Sequence, residues 1–73
     1  MSKIRWAVIV ADPTDAARRH YLEEHGGVPM CIWTIDGKEY WEVSRHECVL
    51  DAVSEIKIMR ELGWGLARTE PVA

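Results

Sequence analysis

The chain has 73 residues, a net charge of −3 and an isoelectric point of about 5.5. That length makes one domain that buries only about 60% of its unfolded surface, which leaves little room for an enclosed active site beside a core. With 48% hydrophobic and 29% charged residues it is no disordered chain, and its acidic balance argues against a dedicated nucleic-acid binder, whose affinity comes mostly from Lys and Arg on phosphates.

Ile4 to Ala11 (Ile-Arg-Trp-Ala-Val-Ile-Val-Ala) is short, β-branched and aromatic, and predicts a strand. Ile4, Trp6, Val8 and Val10 share one face, and Arg5, Ala7, Ile9 and Ala11 the other. Both faces turn apolar toward the end, as in a central strand. Asp12-Pro13-Thr14-Asp15 predicts a helix start, with Asp12 as the cap, Pro13 in the first helical position and Asp15 complementing the dipole. That helix runs to about His25 and stops at Gly26-Gly27. Its apolar face is thin: Ala17 and Tyr21, with Ala16 and His20 beside them. Arg18 and Arg19 point away from it.

Residues 29 to 43 read as a hairpin, because Asp36-Gly37 lies between two β-prone runs and both central residues of a type I′ turn need positive φ. In that register Ile35 pairs with Lys38, Trp33 with Tyr40 and Cys31 with Glu42 on one face. Thr34 pairs with Glu39, Ile32 with Trp41 and Met30 with Val43 on the other. The Met30, Ile32, Trp41, Val43 face is the better core candidate. It leaves Trp33, Tyr40 and Ile35 as an aromatic patch beside Lys38 and Glu42. The opposite choice, with a helix over Trp33 and Trp41 turned outward, stays open.

Ser44-Arg45-His46-Glu47 matches a capping box and predicts a helix from about Arg45 to Leu62, ended by Gly63 and Gly65 around Trp64. Val49, Ala52, Val53, Ile56 and Met59 form one stripe at helical spacing, and Ile58 falls on the opposite side. Residues 66 to 73 read as a flexible tail, with Pro71 discouraging further structure. The expected domain is therefore α+β over residues 1 to 65, in the order β-α-β-β-α, with a three-stranded sheet and a C-terminal amphipathic helix packed on it. Strand order stays open.

Little here carries chemistry. Two cysteines are too few for a secreted disulfide scaffold. The apolar run that ends at Asp12 is too short for a membrane helix and lacks a small-residue cleavage site, so the expectation is a cytoplasmic protein with reduced thiols. His20, His25, Cys31, His46 and Cys48 lack the close ligand pairs of structural zinc sites. They read instead as surface, cap or core groups, with Cys31 in a strand and Cys48 buried on a helix. Asp12 with Asp15, and Glu23-Glu24 with His25, need no catalytic explanation. Gly26-Gly27 and Gly63-x-Gly65 match no phosphate loop. No metal, cofactor or enzymatic activity is expected.

Binding is the remaining class. Charge is evenly spread: residues 1 to 40 hold five basic and six acidic side chains, and residues 41 to 73 hold four and six. Arg18 and Arg19 with Lys3 and Arg5 form at most a small positive patch, better suited to an acidic protein than to nucleic acid. The four Trp in a chain without Phe fit half-buried and interface positions. The candidate partner-binding residues are Arg5, Arg18, Arg19, Trp33, Tyr40, Ile58 and Trp64.

Read whole, from Met-Ser-Lys-Ile-Arg-Trp to Arg-Thr-Glu-Pro-Val-Ala, this small, acidic, Trp-rich and motif-free chain resembles the small transcription regulators of lytic Xanthomonas phages. The resemblance implies binding to host RNA polymerase near the N-terminus of its β′ subunit, loss of σ-dependent initiation, and read-through of terminators. It carries over no functional residue, because there is no motif to match position by position. The expected setting is the host cytoplasm, with no direct nucleic-acid contact and no membrane; a monomer is expected, and an exposed edge strand leaves a dimer open. Two rivals share the sequence features. One is a DNA-binding or excisionase-like regulator, which needs Lys3, Arg5, Arg18, Arg19, Arg45 and Lys57 to cluster. The other is a different host-protein inhibitor, such as an anti-CRISPR or antitoxin-like module.

Overall fold

The computed structural model describes residues 4 to 72. Its elements are β1 (Arg5–Pro13), α1 (Asp15–Glu24), β2 (Ile32–Ile35), β3 (Lys38–His46), α2 (Val49–Glu61) and β4 (Trp64–Val72). The four strands form one sheet in the order β2-β3-β1-β4, and every neighbouring pair is antiparallel. This corrects the expected three-stranded sheet. The order β-α-β-β-α-β with β3 set between β1 and β2 is the split βαβ, ferredoxin-like arrangement.

The correction lies at the C-terminus. Residues 66 to 72, expected as a flexible tail, belong to β4, which pairs with β1 from Arg5↔Val72 to Pro13↔Trp64. The reason is β1 itself. Ala7, Val8, Ile9, Val10 and Ala11 are all buried, so both faces and both edges of this strand need cover. The helices cover the Val8 and Val10 face, and only β3 and β4 together fill the two edges. Pro71 is tolerated because β4 is an edge strand and need not donate on its free side.

The second helix also starts later than its sequence signature. Ser44, Arg45 and His46 pair with Val8, Ala7 and Trp6, so the first three capping-box residues are strand and Glu47 lies in the bend before α2. The Ser44 hydroxyl lies 2.9 Å from His46 Nε2 and caps nothing. Cys48 stands at the N-cap of α2 without a side-chain bond, exposed and not buried on the helix. At α1 the cap is Thr14 in place of Asp12: its Oγ1 accepts from the Ala17 N–H at 3.1 Å. The Asp12 carboxylate instead accepts from Lys38 Nζ, at 2.9 Å to each oxygen.

The hairpin has the expected register, from Ile32↔Trp41 to Ile35↔Lys38. Asp36 and Gly37 take φ of 52° and 78°, as a type I′ turn requires. Cys31 precedes β2, and its carbonyl accepts from the Glu42 N–H at 2.8 Å.

Both helices pack on the face of β1 that carries Val8 and Val10. There they enclose Ala17, Tyr21, Ala52, Met59, Trp64 and Ala67, with Trp41 and Val43 packed alongside. Of the Met30, Ile32, Trp41, Val43 face, only the last two join this core; Met30 and Ile32 are exposed. Of the stripe on α2, Ala52 and Met59 are buried while Val49 and Val53 stay exposed. An aromatic cluster joins the layers, with ring centroids 5.2 Å apart for Tyr21 and Trp41, 5.8 Å for Tyr21 and Trp64, and 6.2 Å for Trp41 and Trp64. No helix among the described residues is long and apolar enough to cross a membrane.

Candidate functional site

Among the described residues the other face of the sheet carries no helix. Its centre is a second cluster of Ala7, Ile9, Ala11 and Tyr40, flanked by Trp33, Ile35 and Val72. Strand alternation and the observed pairings add Arg5, Lys38, Glu42, Arg45, Leu66, Arg68 and Glu70 to it.

A β-bulge builds the middle of this face. Val8 pairs with Ser44 and Ile9 with Glu42, so Val43 is the extra residue. Plain alternation would send residues three apart to opposite faces. The bulge restores Arg45 to the side of Glu42, and its Nε donates to both carboxylate oxygens at 3.2 Å. Trp33 Nε1 donates to the same carboxylate at 3.1 Å. Glu42 is only 2% exposed, and these donors replace the water that a buried carboxylate loses. Trp33 packs against the cluster of Ala7, Ile9, Ala11 and Tyr40, and Arg45 stands opposite Ala7.

The electrostatics of this face are close to balanced. Lys38 pairs with Asp12 at 2.9 Å, Arg45 with Glu42 at 3.2 Å, and Arg68 with Glu70 at 2.6 Å. Arg5 is exposed and makes no ion pair among the described residues.

The seven candidate partner-binding residues do not form one patch. Arg5, Trp33 and Tyr40 share the helix-free face. Tyr40 is only 7% exposed, so it supports this surface more than it offers a side chain. Trp64, 5% exposed, is a core residue on the helix side. Arg18 is exposed on α1 with its guanidinium 5.6 Å from the centre of the Trp41 ring. Arg19 is exposed on the same helix, and Ile58 is exposed on α2, turned away from the core as its spacing predicts. Lys3 lies outside the described residues, so the suggested cluster with Arg5, Arg18 and Arg19 reduces to Arg5 on one side of the sheet and the two α1 arginines on the other. Arg45 and Arg68 are surface groups that strand reading missed: the bulge places the first, and the second falls in the segment read as a tail.

Two hollows of about 230 Å³ each open on the helix side. One lies between the helices above Tyr21 and Trp64, the other beside Arg18, Glu39 and Trp41. Both are smaller than the roughly 300–1,000 Å³ of ordinary ligand sites. Among the described residues no three His, Cys, Asp or Glu side chains gather as metal ligands. Tyr21 is the titratable group that the fold displaces by burial. Burial pushes its hydroxyl above the usual value, opposed in part by the Met30 N–H that donates to it.

Compared with known proteins, the chain matches no family model, no curated protein and no solved structure.

Proposed function

We propose that this chain is a non-enzymatic regulator that works in the bacterial cytoplasm by binding a protein, and that the partner is host RNA polymerase. The observation that carries the binding role is the helix-free sheet face. Trp33 and Ile35 are half-buried there against the cluster of Ala7, Ile9, Ala11 and Tyr40, on a face that also carries Arg5, Arg45 and Arg68. Trp and Arg are the side chains that most often dominate binding hot spots, because each combines large contact area with directed hydrogen bonds. Trp33 is held in place by its bond to the buried Glu42 carboxylate and Tyr40 is itself buried, so little order has to be gained on binding. The partner comes from the resemblance, which implies the N-terminal region of β′, inhibition of σ-dependent initiation, and antitermination.

The test is affinity capture from bacterial lysate with the tagged chain, bound proteins being identified by mass spectrometry. Recovery of polymerase subunits that survives nuclease treatment supports the reading. Trp33→Phe combined with Arg5→Glu should lower that recovery while far-UV circular dichroism stays unchanged. Capture without polymerase would sink the proposed partner. Full capture by the double variant would sink the proposed face.

A second reading has one observation in its favour. In RNA-recognition domains of this topology, aromatic side chains on the open sheet face stack bases, and Trp33 stands on the corresponding face here. Against it, three of the four basic residues on this face are already neutralised by carboxylates, which leaves little charge for phosphates. A gel shift with single-stranded RNA and DNA at low salt decides it.

A further inference from the structure

The free edge of the sheet at β4 is self-complementary. Residues 66 to 72 read Leu-Ala-Arg-Thr-Glu-Pro-Val. About Thr69 the charges of this segment are antisymmetric: Arg68 and Glu70 flank the centre with opposite signs, and Leu66 and Val72 close the ends. Leu66, Arg68, Glu70 and Val72 lie on the helix-free face, opposite Ala11, Ile9, Ala7 and Arg5 of β1.

Charges on an edge strand ordinarily keep a second copy away. Here the arrangement does the reverse for one register. Directly opposed residues of an antiparallel pair share a face, so a two-fold axis at Thr69 sets Arg68 against Glu70 of the second copy, Glu70 against Arg68, and Leu66 against Val72. Within each chain Arg68 Nη2 already holds Glu70 Oε1 at 2.6 Å. The pairing would therefore close a ring of four alternating charges. Moving the axis by one residue either way sets Arg68 against Arg68 or Glu70 against Glu70. The charges thus select one register and disfavour its neighbours. Pro71 has no N–H to give, so it limits how far the ladder across the seam can run.

The helix side offers apolar surface for the same contact. Met59 and Leu62 of α2 line the hollow that faces α1. By helical spacing Val49 and Val53 lie on the opposite flank, toward the free edge of β4. They are 38% and 51% exposed. An axis perpendicular to the sheet keeps both pairs of helices on one side, so the two copies of α2 flank the seam.

We propose that a second copy of this chain docks along β4, the two edge strands pairing antiparallel about a two-fold axis at Thr69 to make one continuous eight-stranded sheet. This dimer needs no other partner and is independent of the proposed function.

Sedimentation velocity of the purified chain over a range of concentrations tests it. Wild type should sediment as a concentration-dependent dimer. Arg68→Glu alone and Glu70→Arg alone each turn two attractive pairs into two repulsive ones, and should weaken the dimer about tenfold. An equal mixture of the two variants restores opposite charges across the seam and should dimerise like wild type. So should the double swap R68E/E70R. A wild type that stays monomeric up to about millimolar concentration overturns the proposal. So does a mixture that fails to recover what the single variants lose while both remain folded. Crosslinking gives an independent readout. In a Cys31→Ser, Cys48→Ser background, Thr69→Cys places two thiols on the axis. Opposed Cα atoms there lie about 4.5–5.5 Å apart, inside the disulfide range of about 4.4–6.8 Å. Mild oxidation should crosslink Thr69→Cys rapidly and Lys57→Cys only slowly. Equal rates overturn the proposal.

Discussion

Replacing Tyr21 by Phe should loosen the join between α1 and the sheet without disturbing the packing. The Tyr21 hydroxyl donates to the backbone carbonyl of Glu42 in β3 and accepts from the Met30 N–H at 3.0 Å. One oxygen therefore ties α1 to β3 and to the segment that leads into β2. Phe keeps the ring, and with it the contacts to Trp41 and Trp64. The two orphaned groups differ in cost. Met30 is half exposed, so water can replace its lost acceptor. The Glu42 carbonyl belongs to a buried residue and loses a donor that water cannot readily replace. The expected loss is about 1–2 kcal/mol, within the range for one buried group left unsatisfied. For a domain of this size that is a fall in Tm of roughly 4 to 16 °C. The loss should also depend on pH. Burial raises the Tyr21 pKa above its ordinary value of 10.0. Below that value both states keep the proton and the stabilisation is complete. As pH rises past it, the unfolded chain deprotonates first and the wild type loses stability. Phe cannot ionise, so the gap between wild type and variant should narrow from about pH 10 upward. Urea titrations followed by Trp fluorescence at pH 7 and pH 10.5 measure both. A variant as stable as wild type at pH 7, or a gap that widens with pH, would refute the assignment.

Gly63→Ala should cost about 2–4 kcal/mol, because a Cβ there would stand 2.6 Å from Thr14 Oγ1 and 3.3 Å from the Ala17 Cβ at a φ of 110°. Gly37→Ala meets open space at a φ of 78° and should cost only about 1–2 kcal/mol of backbone strain; chemical denaturation ranks the two, and the reverse order would contradict the packing of α1 against the α2–β4 corner. Thr14→Ala removes the cap of α1 and should lower stability by about 1 kcal/mol. Ser44→Ala should change it by less than about 0.5 kcal/mol, since Ser44 is a strand residue that caps nothing; a larger loss for Ser44 than for Thr14 would restore the capping box.

The parts of this protein legible in its sequence were those set by neighbours in the chain. Asp36-Gly37 fixed the hairpin register because the turn needs two residues at positive φ, and only a few residue types allow that. β1 read as a central strand because its apolar residues occupy both faces. α1 read as a thin helix because its apolar stripe is Ala17 and Tyr21 with only Ala16 and His20 beside them, and Ile58 read as outward-facing from spacing alone. Tertiary pairing decided the rest. Ser44 to Glu47 satisfies a helix-start pattern, but β1 offers Ser44 and His46 a ladder, and long-range hydrogen bonds outweigh a local cap. Residues 66 to 72 contain Pro71 and follow two glycines, so no local signal marks them as strand. They become β4 because a strand buried on both faces also needs both edges filled. The bulge at Val43 follows from no local rule, yet it alone brings Arg45 and Glu42 to the same face. Trp33, Tyr40, Trp41 and Trp64 have similar chemistry in the sequence. Which of them forms core and which forms surface was settled by the side of the sheet on which two helices came to rest.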